Sequence, residues 1–272
     1  MSVPKVLTIA GSDTSGGAGI QADLKTFQEK DVYGMTVLTV IVTMDPHNNW
    51  AHGVHPIPLP VVQEQLNTVL DGVGLDALKT GMLGSIELIE LVAAEIKKRD
   101  LKRVVIDPVL VCKGTDEVLH PETAVGLREL LVPLADVVTP NLFEAAQLAE
   151  RAPIRTVEDM QDAAVRIFDR GAKHVLIKGG AKLEHPKAVD LLYDGKTFEW
   201  FESERISTPY THGAGCTFSA AVTAELARGK SVREATHAAK AFITAAIGAG
   251  FPLNGFVGPT RHSAARIQAA GV

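Results

Sequence analysis

The chain has 272 residues, a net charge of −5, 46% hydrophobic and 22% charged residues. This composition belongs to a globular protein, and the lack of a basic tract argues against a nucleic-acid partner. No apolar run approaches the length of a membrane span and the first ten residues lack a signal-peptide core, so a cytoplasmic protein without a membrane partner is expected. The two cysteines, Cys112 and Cys216, lack metal-ligand spacing and are expected as reduced thiols in that compartment.

Apolar runs alternate with helical patterns along the chain. Residues 5–10 read as a short buried strand, followed by a glycine-rich segment and a helix over 19–32 with Ile20, Leu24 and Phe27 on one face. The β-branched run 35–44 predicts a second strand, 60–70 a helix and 76–79 a short strand. Ser85 is placed to N-cap a helix reaching residue 98, and a strand over 103–106 stops at Asp107-Pro108. Pro121 opens a helix as an N1 proline, 137–139 is a strand, and a helix starts near Asn141. Thr156 caps a helix ended by Gly171, and 174–177 is a further strand.

The period then changes. Residues 189–193 and 197–201 flank Asp194-Gly195, a hairpin signal, and helices over 213–228 and 232–247 close the chain. Strand–helix alternation predicts an α/β fold with a mostly parallel sheet and helices on both faces, and the hairpin adds an antiparallel edge. With no repeat, low-complexity segment or linker, residues 1–272 read as one domain.

Glycines cluster at three places: Gly11 to Gly19 after the first strand, Lys178-Gly179-Gly180 after a late strand, and Gly213-Ala214-Gly215-Cys216 opening a helix. A helix start whose loop lacks Cβ atoms presents N–H groups and a positive dipole end to an anion. The third cluster fits that chemistry, and equally fits a helix start with small residues for packing. Gly17-Ala18-Gly19-Ile20-Gln21-Ala22 matches the G-x-G-x-x-A fingerprint of NAD-dependent dehydrogenases, but six residues separate it from the strand it should follow at once. No GxxxxGK[ST] occurs, which excludes a P-loop kinase.

Six segments in order, TIAGSDTSGGAGIQADLKTF, LKTGMLGS, VIDPVLVCKG, TPNLFEA, IKGG and THGAGCTFSAAV, carry a resemblance that covers the chain end to end. The chain resembles the ribokinase superfamily, in the branch of hydroxymethylpyrimidine (phosphate) kinases and bacterial pyridoxal kinases. That likeness implies a ribokinase-like α/β domain, a homodimer, and ATP with Mg²⁺ as cosubstrates. The implied activity is phosphorylation of the hydroxymethyl group of a small ring compound, pyridoxal first.

The resemblance also assigns residues. Cys216, where most of the superfamily has an aspartate base, and the turn Gly213, Ala214 and Gly215 are the catalytic centre, the turn holding the transferring phosphate. A thiol at a helix N-terminus has a lowered pKa, so Cys216 can take the proton of the acceptor hydroxyl. Asn141, Lys178, Gly180, Gly213 and Gly215 face ATP, and Glu144 with Asp107 supplies oxygen ligands for Mg²⁺. Gly11, Asp23, Met82, Asp107 and Cys112 face the substrate. Cys112 lies in the loop that corresponds to the family's lid, where a thiolate can add reversibly to the aldehyde of pyridoxal.

One departure bears on the substrate. Hydroxymethylpyrimidine kinases usually carry a Gln near the end of the second strand, where this chain has Met44. Losing an amide that pairs with the pyrimidine favours pyridoxal. Hydroxymethylpyrimidine or its phosphate, a dehydrogenase substrate, and a non-catalytic ligand sensor stand as the other readings.

Overall fold

The computed structural model describes residues 3–110, 121–180 and 182–271. The chain divides into two compact units, Met1–Gly84 with Ser207–Val272, and Ser85–Ile206.

The first unit is built on strand β1 (Lys5–Asp13), with Val6, Leu7, Ile9 and Ala10 buried to 2% exposure or less. Such a run, apolar on both faces, is the pattern of a covered parallel strand. β2 (Tyr33–Asp45) pairs parallel with one edge of β1 and β4 (Ala77–Thr80) with the other, so the strand order β3-β2-β1-β4 reverses direction at β1. Ligands of α/β sheets bind beyond the carboxyl ends of strands at such a switch point. The loop entered from β1 therefore occupies the position where a site is expected.

β1 runs three residues beyond the 5–10 strand read from the sequence. Gly11 lies at an irregularity between Ala10 and Ser12, past which β1 continues against Ile41 and Val42 of β2. A Cβ at Gly11 would stand 2.7 Å from Val40 Cγ2, so a larger residue requires the Val40 side chain to shift. β3 (Ala51–Pro56), antiparallel to β2, is an edge that the sequence reading did not anticipate. Its turn passes through Asn49 and Trp50, both at positive φ (50° and 61°), and is not one of the two-residue Gly turns that signal a hairpin.

Helix α1 (Gly19–Glu29) follows the glycine loop and α2 (Leu59–Gly72) precedes β4. From the chain's end come α7 (Ala214–Ala227), α8 (Val232–Gly248) and a short α9 (Ala264–Ala269), the last not expected from the sequence. In α7 every residue from Thr217 to Leu226 is buried. Ala220 and Ala224 pack into one cluster with Val6 of β1, Ala77 of β4 and Phe27 of α1. A helix enclosed on all sides has no freedom to slide. Burial of Phe27 alone stabilises the packing by about 2–3 kcal/mol. The N-terminal turn of α7 is thereby fixed against β1.

The second unit orders its strands β5-β6-β7-β8-β9. β5 (Val104–Ile106), β6 (Val137–Val138) and β7 (Val175–Gly180) are parallel, and β8 (Ala188–Tyr193) and β9 (Phe198–Ser203) form the expected antiparallel hairpin. Helix α3 (Ile86–Arg99) is capped by Ser85, whose side chain accepts from Leu88 N. α4 (Pro121–Gly126) continues into a π-helical turn, Leu127–Leu131. α5 (Leu142–Leu148) and α6 (Val157–Phe168) each begin with a capping box, at Asn141 and Thr156. Both units are α/β with parallel strands inside and antiparallel strands at an edge, the class expected from the sequence.

Candidate active site

In the first unit the carboxylate of Asp13, at the end of β1, organises the glycine loop. Oδ1 accepts from the amide and hydroxyl of Ser15, and Oδ2 from Gly17 N (3.2 Å), Ala18 N (2.8 Å) and His212 Nε2 (2.7 Å). Burial alone would push this carboxyl up, but the bonds from His212, Ser15 and Ala18 hold it well below the usual carboxylate range. The amides that a dinucleotide fingerprint would turn toward a pyrophosphate are thus occupied by the chain's own carboxylate. This is the physical reason the G-x-G-x-x-A match is a coincidence of spelling.

His212 leads into the second glycine turn. Its N–H donates to Gly258 O, and its carbonyl accepts from Thr260 N. Gly213 caps α7 with φ 77°, and a Cβ there would lie 1.8 Å from Gly17 O, so only glycine fits. Ala214 N turns back to Thr211 O (3.1 Å), and Thr217 N is bonded to Gly213 O (2.9 Å). Of the turn read as an anion hole, the Ala214 amide therefore already serves an intrachain acceptor, while Gly215 and Cys216 occupy the first helical turn. Cys216 is half-buried there. Thr217, next to it, bonds His262 Nε2 at 3.0 Å.

Gly11 and Met82 are neighbours: a Cβ on the glycine would be 3.8 Å from Met82 Cβ, and Thr39 Oγ1 donates to the Met82 carbonyl. Asp23 lies deeper. Its Oδ2 accepts from Thr8 Oγ1 at 2.6 Å and Lys79 Nζ at 3.2 Å, and neither Asp23 nor Lys79 has any exposed surface. Lys79 stands in the LKTGMLGS segment but was given no role from the sequence, because its partner Asp23 is 56 residues away.

The second unit holds Asp107, Asn141, Glu144, Lys178 and Gly180 of the residues read as nucleotide and metal contacts, whereas Gly213 and Gly215 lie in the first. Asp107, just past β5, is 2% exposed and accepts from Lys178 Nζ at 2.8 Å. Asn141 and Glu144 bond reciprocally, Asn141 N to Glu144 Oε2 at 2.8 Å and Glu144 N to Asn141 Oδ1 at 2.9 Å. Asn141 bridges to Lys178 of β7, which brings α5 beside the end of that strand. Burial raises the Glu144 carboxyl to about 7, opposed by Lys178 and reinforced by Asp107. Two buried carboxylates that repel each other form an oxygen donor set suited to a hard divalent cation, which completes its shell with water and phosphate oxygens. Mg²⁺ fits these residues; among the described residues no group of three or more His, Cys, Asp or Glu forms a fuller cage.

Gly180 ends β7 at φ 55° with nothing within 4 Å of a built Cβ, an open position. At Gly179 a Cβ would meet Val189 O at 2.3 Å, and its N–H donates to Asp190 Oδ1. Buried Asp190 was not read from the sequence; it lies in the hairpin strand β8, which was read from the Asp194-Gly195 turn and not from any site motif. Cys112 falls outside the described residues. No helix among them is long and apolar enough to cross a membrane.

A buried helix presenting a glycine turn beside a thiol, and a separate carboxylate pair with a lysine, belong to a phosphotransferase of the ribokinase-like class. Residues 13–261 match the phosphomethylpyrimidine kinase family, and the chain belongs to it. It is 65% identical to the pyridoxine kinase of Bacillus subtilis over 98% of this chain and 99% of that protein. The solved ADP complex of Bacillus subtilis pyridoxal kinase superposes with a TM-score of 0.95, covering 98% of this chain and 100% of that one at 65% identity. The Staphylococcus aureus pyridoxal kinase in complex with AMP-PCP and pyridoxal gives 0.92 at 50% identity, over 98% and 96%.

Proposed function

We propose that this chain, acting as a single kinase domain and as a homodimer in the cytoplasm, transfers the γ-phosphate of ATP to the 5′-hydroxymethyl group of pyridoxal. The observation that carries the reading is the Gly213 turn: a left-handed glycine closed over by Gly17 O, opening a helix buried from Thr217 to Leu226 whose first turn holds Cys216.

The chemistry assigned to these residues is short. The Cys216 thiolate takes the proton of the 5′-hydroxyl, and that oxygen attacks the γ-phosphorus while ADP leaves. The amides of Gly213 and Gly215 hold the phosphoryl oxygens, that of Ala214 being engaged by Thr211 O, and the α7 dipole favours their charge. Lys178, Gly180 and Asn141 serve the nucleotide. Asp107 and Glu144 hold Mg²⁺, which supplies neutralisation of phosphate charge. Gly11 and Met82 offer a small cleft and an apolar surface to the pyridine ring, with Asp23 supporting them from below. Cys112 adds its sulfur to the aldehyde carbon of pyridoxal; the carbonyl oxygen takes the electron pair and a proton, giving a hemithioacetal that orients the adjacent hydroxymethyl group.

Phosphorylation of hydroxymethylpyrimidine is the second reading, favoured by the family match and opposed by Met44, half-buried opposite His52 where a Gln would read the pyrimidine. The test is an ATP- and Mg²⁺-dependent assay with pyridoxal, pyridoxine, pyridoxamine, hydroxymethylpyrimidine and its phosphate. The highest kcat/KM is expected for pyridoxal. A preference for either pyrimidine would reverse the order of the two readings, and no ATP-dependent product would remove both.

A further inference from the structure

We infer that Asp13 and His212 form a positioning pair that sets the α7 turn for phosphoryl transfer, a role resting on the reading of Gly213–Cys216 given above. Asp13 is 5% exposed and His212 8%, and their 2.7 Å bond joins residues 199 apart in sequence. Asp13 is the hub of the loop after β1, bonded to Ser15, Gly17, Ala18 and His212. His212 is held at three points: its side chain by Asp13, its N–H by Gly258 O and its carbonyl by Thr260 N. The residue that follows is Gly213, whose left-handed backbone lies so close to Gly17 O that the loop forms its roof.

The consequence is mechanical. The loop and the turn share one fastening, and any displacement of His212 passes directly into Gly213 and the first turn of α7. Nothing in this pair touches the reacting atoms in the assigned chemistry. Its effect is to keep the turn's amides and the Cys216 sulfur at the spacing that an in-line transfer requires, where an error of about 1 Å costs roughly 10²-fold in rate. Because both Asp13 oxygens accept several bonds at once, which suits the ionised carboxylate, and Nε2 must carry a proton to donate, the pair has one productive arrangement.

The experiment compares Asp13→Asn, His212→Gln and His212→Leu with the parent enzyme, measuring kcat for pyridoxal, KM for ATP and thermal midpoint, with Cys216→Ala alongside. Asp13→Asn and His212→Leu are expected to lower kcat roughly 10²-fold at temperatures where each variant remains folded, with KM for ATP near the parent value, beyond any fall in thermal midpoint from unpairing a buried group. His212→Gln, whose amide can still donate to Asp13, is expected to recover much of the loss. Wild-type kcat in Asp13→Asn and His212→Leu overturns the inference. So does a loss of kcat that follows thermal stability across all three variants, since the contact is then structural only. If His212→Leu fails to fold, Asp13→Asn and His212→Gln decide by the same criteria. Should Cys216→Ala keep its turnover, the reading of the turn falls and the pair with it; should Cys216→Ala lose turnover while Asp13→Asn does not, the pair alone is refuted.

Discussion

Lys79 Nζ and Asp23 Oδ2 meet at 3.2 Å in a place where neither side chain reaches solvent. The pair ties α1 to β4 beneath the loop that begins at the end of β1, and Thr8 of β1 adds a third partner. Breaking such a pair from one side leaves a charge buried without compensation, at a cost of about 3–5 kcal/mol. Lys79→Met is therefore expected to lower the urea midpoint markedly, and Asp23→Leu in the same chain to restore much of it. The double variant also separates roles: if Asp23 only supports the site, KM for pyridoxal in the refolded double variant stays within a few-fold of the parent. A single Lys79→Met with parental stability contradicts this account of the pair.

A second buried group sets an acid limb of stability. Burial, helped by Lys25, lowers the His262 pKa from 6.5 to about 4. Between those values the unfolded chain binds a proton that the folded chain refuses. Stability present above pH 6.5 is lost as pH falls toward 4, by at most about 3 kcal/mol from this group. His262→Gln keeps a partner for Thr217 Oγ1 and cannot titrate. Urea midpoints measured from pH 8 to pH 4 are expected to fall less steeply in the variant than in the parent, and parallel curves would contradict it.

The sequence made the architecture legible wherever local signals agreed with tertiary structure. Ser85 and Thr156 cap their helices as read, and Asp194-Gly195 turns its hairpin. It was least legible where the deciding interaction is long-range. β3 has no glycine turn or clean alternation to announce it, and β1 outlasts its apolar run because a parallel neighbour holds the residues beyond Gly11. The site divides in the same way. Gly213 lies in a helix-opening glycine turn whose pattern suits an anion or close packing, and Asn141 and Glu144 took their role from the family resemblance. Asp13 stood inside such a motif without a stated role, because its partner His212 is 199 residues distant. Lys79 and Asp190 have meaning only through what they touch.

In the proposed reading, Glu144 joins Mg²⁺ binding to pH. Its carboxyl is raised to about 7, chiefly by burial, so in the metal-free protein it is largely protonated below that value. Divalent cations bind the ionised form and release the proton. The Mg²⁺ concentration for half-maximal activity is expected to rise several-fold between pH 8 and pH 6. Glu144→Gln is expected to weaken Mg²⁺ dependence at both pH values and to raise the thermal midpoint of the metal-free protein at pH 8, where the parent bears a buried negative charge. That gain shrinks as pH falls through 7 and the parent carboxyl becomes neutral. A midpoint difference independent of pH contradicts the assignment.

Cys216 is half-buried in the first turn of α7, where the helix dipole favours a thiolate. In the proposed reaction it takes the hydroxyl proton, and so it would act in the transition state and not on bound nucleotide. Cys216→Ala is expected to lower kcat by roughly 10²–10⁴-fold, with ADP affinity by calorimetry unchanged within a few-fold. Cys216→Asp, which installs the carboxylate used elsewhere in the superfamily, is expected to regain part of the loss. Parental turnover in Cys216→Ala removes the sulfur from the reaction.

The last prediction separates substrates that differ only in the group Cys112 is proposed to capture. Pyridoxal carries an aldehyde next to the reacting hydroxymethyl arm; pyridoxine carries an alcohol there and offers a thiolate no electrophilic carbon. If the lid sulfur adds to the aldehyde, it fixes the ring and arm before transfer and converts orientational freedom into rate. Cys112→Ala then lowers kcat/KM for pyridoxal by at least about tenfold and leaves pyridoxine nearly unaffected, so the ratio of the two specificity constants falls. Cys112→Ser is the stricter comparison, because a hydroxyl keeps polarity and size but has no accessible anion at neutral pH, and it is expected to behave like Cys112→Ala. Equal losses on both vitamers would mean that the residue acts without regard to the aldehyde, and the hemithioacetal would have no part in the mechanism.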